Sequence, residues 1–328
     1  MTPALPKAEL HCHIEGAAPP ALVRRLAARY GADTAGIFDD QGGYAWHDFA
    51  SFLDTYGRVS ALFRSGADFR DLAHAYFTAI AAEGAIYGEI FIAPDIAEDG
   101  GVATADYIAG LSDGMDRAEA ETGIVTRMIL TGVRHLGPAR VRALAETAVA
   151  HPRITGFGIA GDETMHHPRD FADAFRIARE AGLGLTAHAG ELAGPESVRA
   201  ALDHLGVTRI GHGVRSIEDP ALVARLAAEG IVLELCPSSN VALGLYPDIA
   251  RHPFRRLMEA GVRVTINSDD PPYFHTSLGH EYELLGRDQG LDPAALLQAT
   301  RTAIQAAFVD EATRKTLLKR VDPAAATA

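Results

Sequence analysis

Apolar runs of five to nine residues, rich in Ile, Val, Leu and Phe, recur along the chain between stretches whose apolar positions repeat at helical spacing. A short acidic, small-residue, glycine signal precedes most of these runs. Glu83-Gly84 leads into Ala85–Ile92, Glu121-Thr122-Gly123 into Ile124–Leu130, and Glu180-Ala181-Gly182 into Leu183–His188. Glu229-Gly230 leads into Ile231–Cys236 and Glu259-Ala260-Gly261 into Val262–Asn267. Glycine just past a helix end is the expected cap, because it takes left-handed backbone without a Cβ penalty. Helix starts are marked by proline near the first turn, at Pro20, Pro138, Pro168, Pro195, Pro220, Pro253 and Pro293. Three further runs, Ala8–His11, Ile154–Ile159 and Thr208–Gly211, bring the strands to eight. Strands alternating with helices predict a parallel sheet, and eight units predict a closed (β/α)8 TIM barrel. An open doubly wound sheet competes, but no GxGxxG or P-loop follows the first strand.

The chain reads as one barrel domain over residues 1–328, interrupted by a helical insertion at about 17–83 between the first and second strands. Phe52, Leu53, Tyr56, Val59, Leu62 and Phe63 fall on one helical face there. Such a face either packs on the barrel wall or forms a lid over its mouth. The tail Asp322–Ala328 is of low complexity and reads as frayed.

Composition narrows the class. The hydrophobic share of 48% supports a sizeable core, and a formal charge of −13 argues against a nucleic-acid backbone as partner. No run is long and apolar enough to suggest a membrane span or a secretory signal. The two cysteines, Cys12 and Cys236, form neither a disulfide framework nor a CxxC site. A cytoplasmic enzyme is the expectation.

The chemistry concentrates at the strand ends, where barrels assemble their sites. The first strand ends in His11-Cys12-His13, and residues i and i+2 of a strand face the same side. Alone, this pair reads equally as two polar residues on an exposed strand. The fifth strand, however, ends in His188-Ala189-Gly190-Glu191, the sixth in Gly211-His212-Gly213, and the eighth in Asn267-Ser268-Asp269-Asp270-Pro271. Three neutral imidazoles and one carboxylate (His11, His13, His188, Asp269) make a first shell for one Zn²⁺ per subunit that leaves a place for water. The ion lowers the pKa of that water to roughly 7. Glu191 and His212 lie where they can move protons nearby. His47, His74, His135, His151, His166, His167, His204 and His252 read as surface residues, while His275 and His280 follow the eighth strand near the mouth.

With these residues placed, the chain resembles the adenosine/adenine deaminase branch of the amidohydrolase superfamily over almost its whole length. The matching segments are ELHCHIEG, AGDE (160–163), HAGE (188–191) followed by AGPES, GHGV (211–214) and NSDDP (267–271). The resemblance implies hydrolytic removal of the amino group from a 6-aminopurine. It gives Glu191 as the acid that protonates N1, and His212 with Asp269 as the residues that orient and deprotonate the attacking water. Asp270 becomes the partner of N7, the Gly161 N–H the donor to N3, and His13 and Glu15 further substrate contacts. The helical insertion becomes the apolar lid. The HxE…PCxxC signature of cytidine deaminases is absent. The Ile154–Gly161 run has no lysine to carry a bridging carbamate, which points to one metal.

The substrate is a purine nucleoside or base, with no nucleic-acid or membrane partner. Glu15, where adenosine deaminases usually carry Asp, leans toward free adenine, as does Pro272-Tyr273-Phe274. AGDE and GHGV lean toward adenosine. The expectation drawn is adenosine (and 2′-deoxyadenosine) to inosine. Deamination of adenine to hypoxanthine, or of another modified 6-aminopurine, is the alternative, and a non-catalytic purine-binding protein the remote one.

Overall fold

The computed structural model describes residues 5–147 and 151–322. Eight strands, β1 (Lys7–Glu9), β2 (Ala85–Ile92), β3 (Val125–Val133), β4 (Ile154–Ala160), β5 (Gly184–Ala189), β6 (Arg209–His212), β7 (Val232–Leu235) and β8 (Arg263–Ile266), pair in sequence order, all parallel. The eight expected runs coincide with these strands to within a few residues at either end. The expected tail falls almost wholly at 323–328, outside the described residues.

The seam between β8 and β1 closes beyond the ends of both. A parallel bridge joins Cys12 to Asp269, the Asp269 N–H donates to the His11 carbonyl (3.0 Å), and the His13 N–H donates to the Asp269 carbonyl (3.1 Å). The Asn267 side chain accepts from the Leu10 N–H at 3.0 Å, standing in for a missing ladder bond. This differs from the sequence reading, in which His11 and His13 share a regular strand. The β1 ladder ends at Glu9, and the histidines are held by bridges on either side, to Asp269 and from His13 to Phe91. Thus barrel closure and the placing of His11, His13 and Asp269 are one structural event.

Most helix starts match their prolines. Pro168 is an exception, since it opens a 3-10 turn, Pro168–Phe171, and the α-helix begins at Ala172. The insertion holds helices Pro20–Tyr30, Phe49–Ser60 and Gly66–Ala82. The second is fixed at its start by a capping box. Asp48 accepts from the Ser51 N–H at 2.8 Å, and the Ser51 hydroxyl accepts from the Asp48 N–H at 3.0 Å. It ends at Ser60, so Leu62 and Phe63 lie in the following turn. No described helix is long and apolar enough to cross a membrane.

The core contains charges that a hydropathy reading does not anticipate. Arg209 is buried between Glu89 (2.7 Å) and Glu234 (2.6 Å). Ions survive such burial only when paired and hydrogen-bonded. The arrangement is therefore best understood through the groups it orients.

Candidate metal centre and active site

His11, His13, His188, His212 and Asp269 converge at the carboxyl ends of β1, β5, β6 and β8. The imidazole Nε2 atoms of His13 and His188 lie 3.1 Å apart, and Asp269 Oδ1 is 3.5 Å from His13 Nε2 and 3.6 Å from His11 Nε2. Ligand atoms held about 2.0–2.1 Å from one ion at tetrahedral angles are separated by about 3.3 Å. The set matches that spacing. His11 Nε2 is buried with no hydrogen-bond partner, as expected of a lone pair kept for a metal.

Backbone strain marks the centre. His212 (φ 56°) and Asp269 (φ 61°) both adopt left-handed backbone, which costs a non-glycine residue energy and is characteristic of functional sites. Gly211 is obligatory for a different reason. A Cβ there would stand 2.9 Å from His11 and 3.0 Å from His188, forcing two imidazoles out of place.

Burial sets the protonation states. It drives His11 and His188 well below the ordinary histidine range, His13 down to about 4 and His212 down to about 3, so all are neutral near pH 7. His11 Nδ1 faces Glu234 Oε2 at 2.9 Å, which fixes the Nδ1–H tautomer and leaves Nε2 free to ligate. Arg209 and Thr186 in turn hold Glu234. Opposite the imidazoles, burial and the neighbouring Asp269 and Glu163 push Glu191 well above the usual carboxylate range. Burial thus favours the protonated form of Glu191, which lies 3.6 Å from His212 Nε2. Burial and Asp269 likewise raise Asp270, whose Oδ1 has no partner and packs against Gly16 so closely that no Cβ fits there.

The loop carrying Glu191 is held from below. The Glu163 carboxylate accepts from the backbone N–H groups of Gly190, Glu191 (3.0 Å) and Ala193 (2.9 Å). Arg134, itself buried, donates to the carbonyls of Glu163 (3.0 Å) and His188 (2.9 Å).

A cavity of about 420 Å³ opens over this centre. His13, His188, Glu191, His212, Asp269 and Asp270 line its floor, with Gly161 and His135 at the β4 side. Phe49, Phe52, Leu53 and Tyr56 of the insertion, together with Phe274, line the apolar side. Phe52 stacks on Phe274 (5.5 Å between ring centroids) and meets Tyr273 edge-on, and Trp46 donates to the Tyr273 carbonyl at 3.0 Å. Glu15 is buried beside this wall, accepting from Tyr107 at 2.5 Å, with burial raising it to about 7.

Every site residue expected from the sequence thus lies in or beside this cavity. Several participants were not expected. His252, read as a surface residue, is buried and bonded to Asn240, which is bonded to His212. Its burial follows from the turn that precedes helix Phe254–Glu259, which periodicity does not reveal. His74 and His151 are also half-buried rather than exposed, whereas His135 is exposed as expected. Glu234 carried one usable signal, a single acid in the apolar run Ile231–Cys236. Cys236 lies close to His11, His212 and Asp269, but burial and nearby carboxylates hold its thiol well above the ordinary range. His275 sits apart from this cavity, in a second hollow beside Tyr44 and Trp46.

Comparison with known proteins is decisive about family. The family described as Adenosine deaminase matches residues 6–324. A protein from Chelativorans sp. named adenine deaminase is 57% identical over 319 residues, covering 97% of this chain and 98% of that protein. The crystal structure of an adenine deaminase from Arthrobacter aurescens superposes with a TM-score of 0.91 at 33% identity, over 97% and 98% of the two chains. An amidohydrolase from Burkholderia ambifaria with bound zinc superposes at 0.89 and 31% identity, over 98% and 90%. These findings overturn the expectation of adenosine as main substrate. Curated relatives at 53–57% identity are named adenine deaminase, not adenosine deaminase. The geometry explains the error. AGDE supplies Glu163, which holds the Glu191 loop, and GHGV supplies Gly211, which clears the ligand histidines. Glu163 and Gly211 thus support the metal-ligand histidines and the Glu191 loop, a task that adenine and adenosine deamination share.

Proposed function

The chain belongs to the adenosine deaminase family and is a deaminating hydrolase, and from that premise we propose that it converts adenine and water to hypoxanthine and ammonia. One observation carries this reading. A neutral three-imidazole, one-carboxylate donor set shares its cavity with a carboxyl held protonated by burial. The names of the relatives then favour adenine over its nucleoside.

His11, His13, His188 and Asp269 would hold one divalent ion, zinc by donor type, which supplies Lewis acidity and a water of near-neutral pKa. Glu191 delivers its proton to N1, so that negative charge developing there as C6 is attacked is neutralised. Asp269 takes a proton from the attacking water and returns it to the departing amine, while His212 holds that water in line. The protonated Asp270 carboxyl donates to N7, and the Gly161 N–H donates to N3. Glu15, held by Tyr107, occupies with its extra methylene the space a ribose would need. Helix Phe49–Ser60 forms a cover that keeps bulk water from the reacting ring, strengthening each of these hydrogen bonds. Two free, buried cysteines suit a reducing, cytoplasmic setting.

The test is steady-state turnover of a 6-aminopurine panel by zinc-replete protein, followed by product chromatography and ammonia release. Hypoxanthine and equimolar ammonia from adenine are expected. A folded, metal-loaded sample that leaves every 6-aminopurine intact would overturn the reading.

A further inference from the structure

The geometry points to Asn240 and His252 as positioning residues that set the tautomer of His212, placing its proton on Nε2 so that it meets the attacking water as a hydrogen-bond donor. This rests on the deaminase reading above and assigns roles to two residues outside the cavity.

The assignment follows from one chain of hydrogen bonds in which each link leaves the next no choice. The backbone N–H of Phe254 donates to His252 Nδ1 at 3.2 Å, so that nitrogen is bare. The proton of the neutral ring is then on Nε2, which lies 3.1 Å from Asn240 Oδ1 and donates to it. With its oxygen committed, Asn240 turns its amide N–H₂ toward His212 Nδ1 at 3.2 Å. That nitrogen must accept, which puts the His212 proton on Nε2, facing Glu191 at 3.6 Å and Asp269 at 3.8 Å. All three side chains are at least 97% buried, so water does not substitute for any link. The far end is anchored as well. Gln289 donates to the carbonyls of His252 (2.7 Å) and Ile249 (2.6 Å), holding the turn that presents the ring.

The contrast with His11 gives the chain its meaning. His11 Nδ1 faces an acceptor, Glu234, and so offers a bare Nε2 to a metal. His212 Nδ1 faces a donor and so offers a proton. Two imidazoles 4.8 Å apart are thereby sorted into ligand and donor by their partners alone. His212 Nε2 already carries its proton and Nδ1 is blocked, so His212 orients the water without deprotonating it. One water proton passes instead to the Asp269 carboxylate as the C6–O bond forms. Asp269 returns it to the amine, C6–N breaks with release of ammonia, and the remaining hydroxyl proton replaces the one Glu191 gave to N1.

The decisive measurement is a long-range ¹H–¹⁵N spectrum of zinc-replete protein labelled in its histidine rings, with the His212 signals assigned by their loss in His212→Gln. The expected wild-type result is a protonated, pyrrole-type Nε2 and a bare Nδ1. Asn240→Asp replaces the donor with an acceptor of the same shape. It should move the proton to Nδ1 and lower kcat about 10²–10⁴-fold with KM changed less than about threefold, the size attached to a wrongly protonated imidazole. His252→Gln, which still donates to Asn240, should keep the wild-type tautomer. A wild-type ring protonated on Nδ1, or an Asn240→Asp protein with unchanged spectrum and kcat, would overturn the assignment. The spectrum needs no turnover. An active enzyme with the opposite tautomer therefore removes this inference alone, and an inactive one with the expected tautomer removes the deaminase reading alone.

Discussion

The strand ends of the barrel and the wall raised by the insertion enclose one cavity but are built on opposite principles. At the strand ends, polar groups are buried and each is held by another. Glu234 holds His11, Glu163 holds the Glu191 loop, and Asn240 holds His212. The wall is aromatic: Phe52, Tyr56, Trp46, Tyr273 and Phe274 pack ring on ring, and Glu15 is the acid set among them. Electrostatic preorganisation belongs to the part that meets C6 and N1. Shape belongs to the part that meets the rest of the purine. The difference teaches that reaction and substrate are specified by separate residues, and variants should separate them.

The largest expected effect lies at the strand ends. Glu191→Gln should lower kcat/KM about 10³-fold or more for adenine, and in the same proportion for any poorer 6-aminopurine, with zinc content unchanged by atomic absorption. Unequal losses would mean that Glu191 also selects the substrate. Next, Glu234→Gln should weaken zinc binding about 10–100-fold in a chelator competition, because His11 loses the carboxylate that fixes its tautomer. Unaltered affinity would detach the buried Arg209–Glu234 pair from the metal centre.

On the wall, Glu15→Asp should shift the adenine-to-adenosine ratio of kcat/KM about 10–100-fold toward adenosine, the worth of one methylene in a fitted pocket, with zinc content intact. Equal effects on both purines would place Glu15 among the general catalytic groups.

The smallest effect concerns stability and leaves both regions in place. Burial raises Glu281 from 4.5 to about 7. The folded state therefore keeps a proton that the unfolded chain releases, and stability falls as pH rises between about 4.5 and 7. Glu281→Gln removes this dependence. Its melting temperature relative to wild type should climb across that window, by the equivalent of up to about 3 kcal/mol, and stay level above it. A difference independent of pH would mean that Glu281 is ionised in both states.

Much of this division was legible in the sequence. The glycine punctuation located five strands and apolar runs the other three, and the histidines and carboxylates at their ends marked the centre, because residue type and position together carry that information. Motif likeness failed where it was asked about substrate. AGDE and GHGV pointed to adenosine, yet Glu163 and Gly211 are scaffold for the ligands and the Glu191 loop. Glu15 and Pro272-Tyr273-Phe274, which pointed to adenine, are the residues that belong to the wall. The supporting groups, Asn240, His252 and Glu234, were illegible for another reason. Their roles depend on hydrogen bonds across up to 223 residues of chain, which no local pattern records.

The measurement that bears most directly on the central claim is the ratio of kcat/KM for adenine to that for adenosine, in wild type and in Glu15→Asp side by side. The account predicts a wild-type ratio above about 100 that falls at least tenfold in the variant while hypoxanthine and ammonia stay equimolar. A wild-type ratio below one, or a ratio indifferent to residue 15, would contradict it.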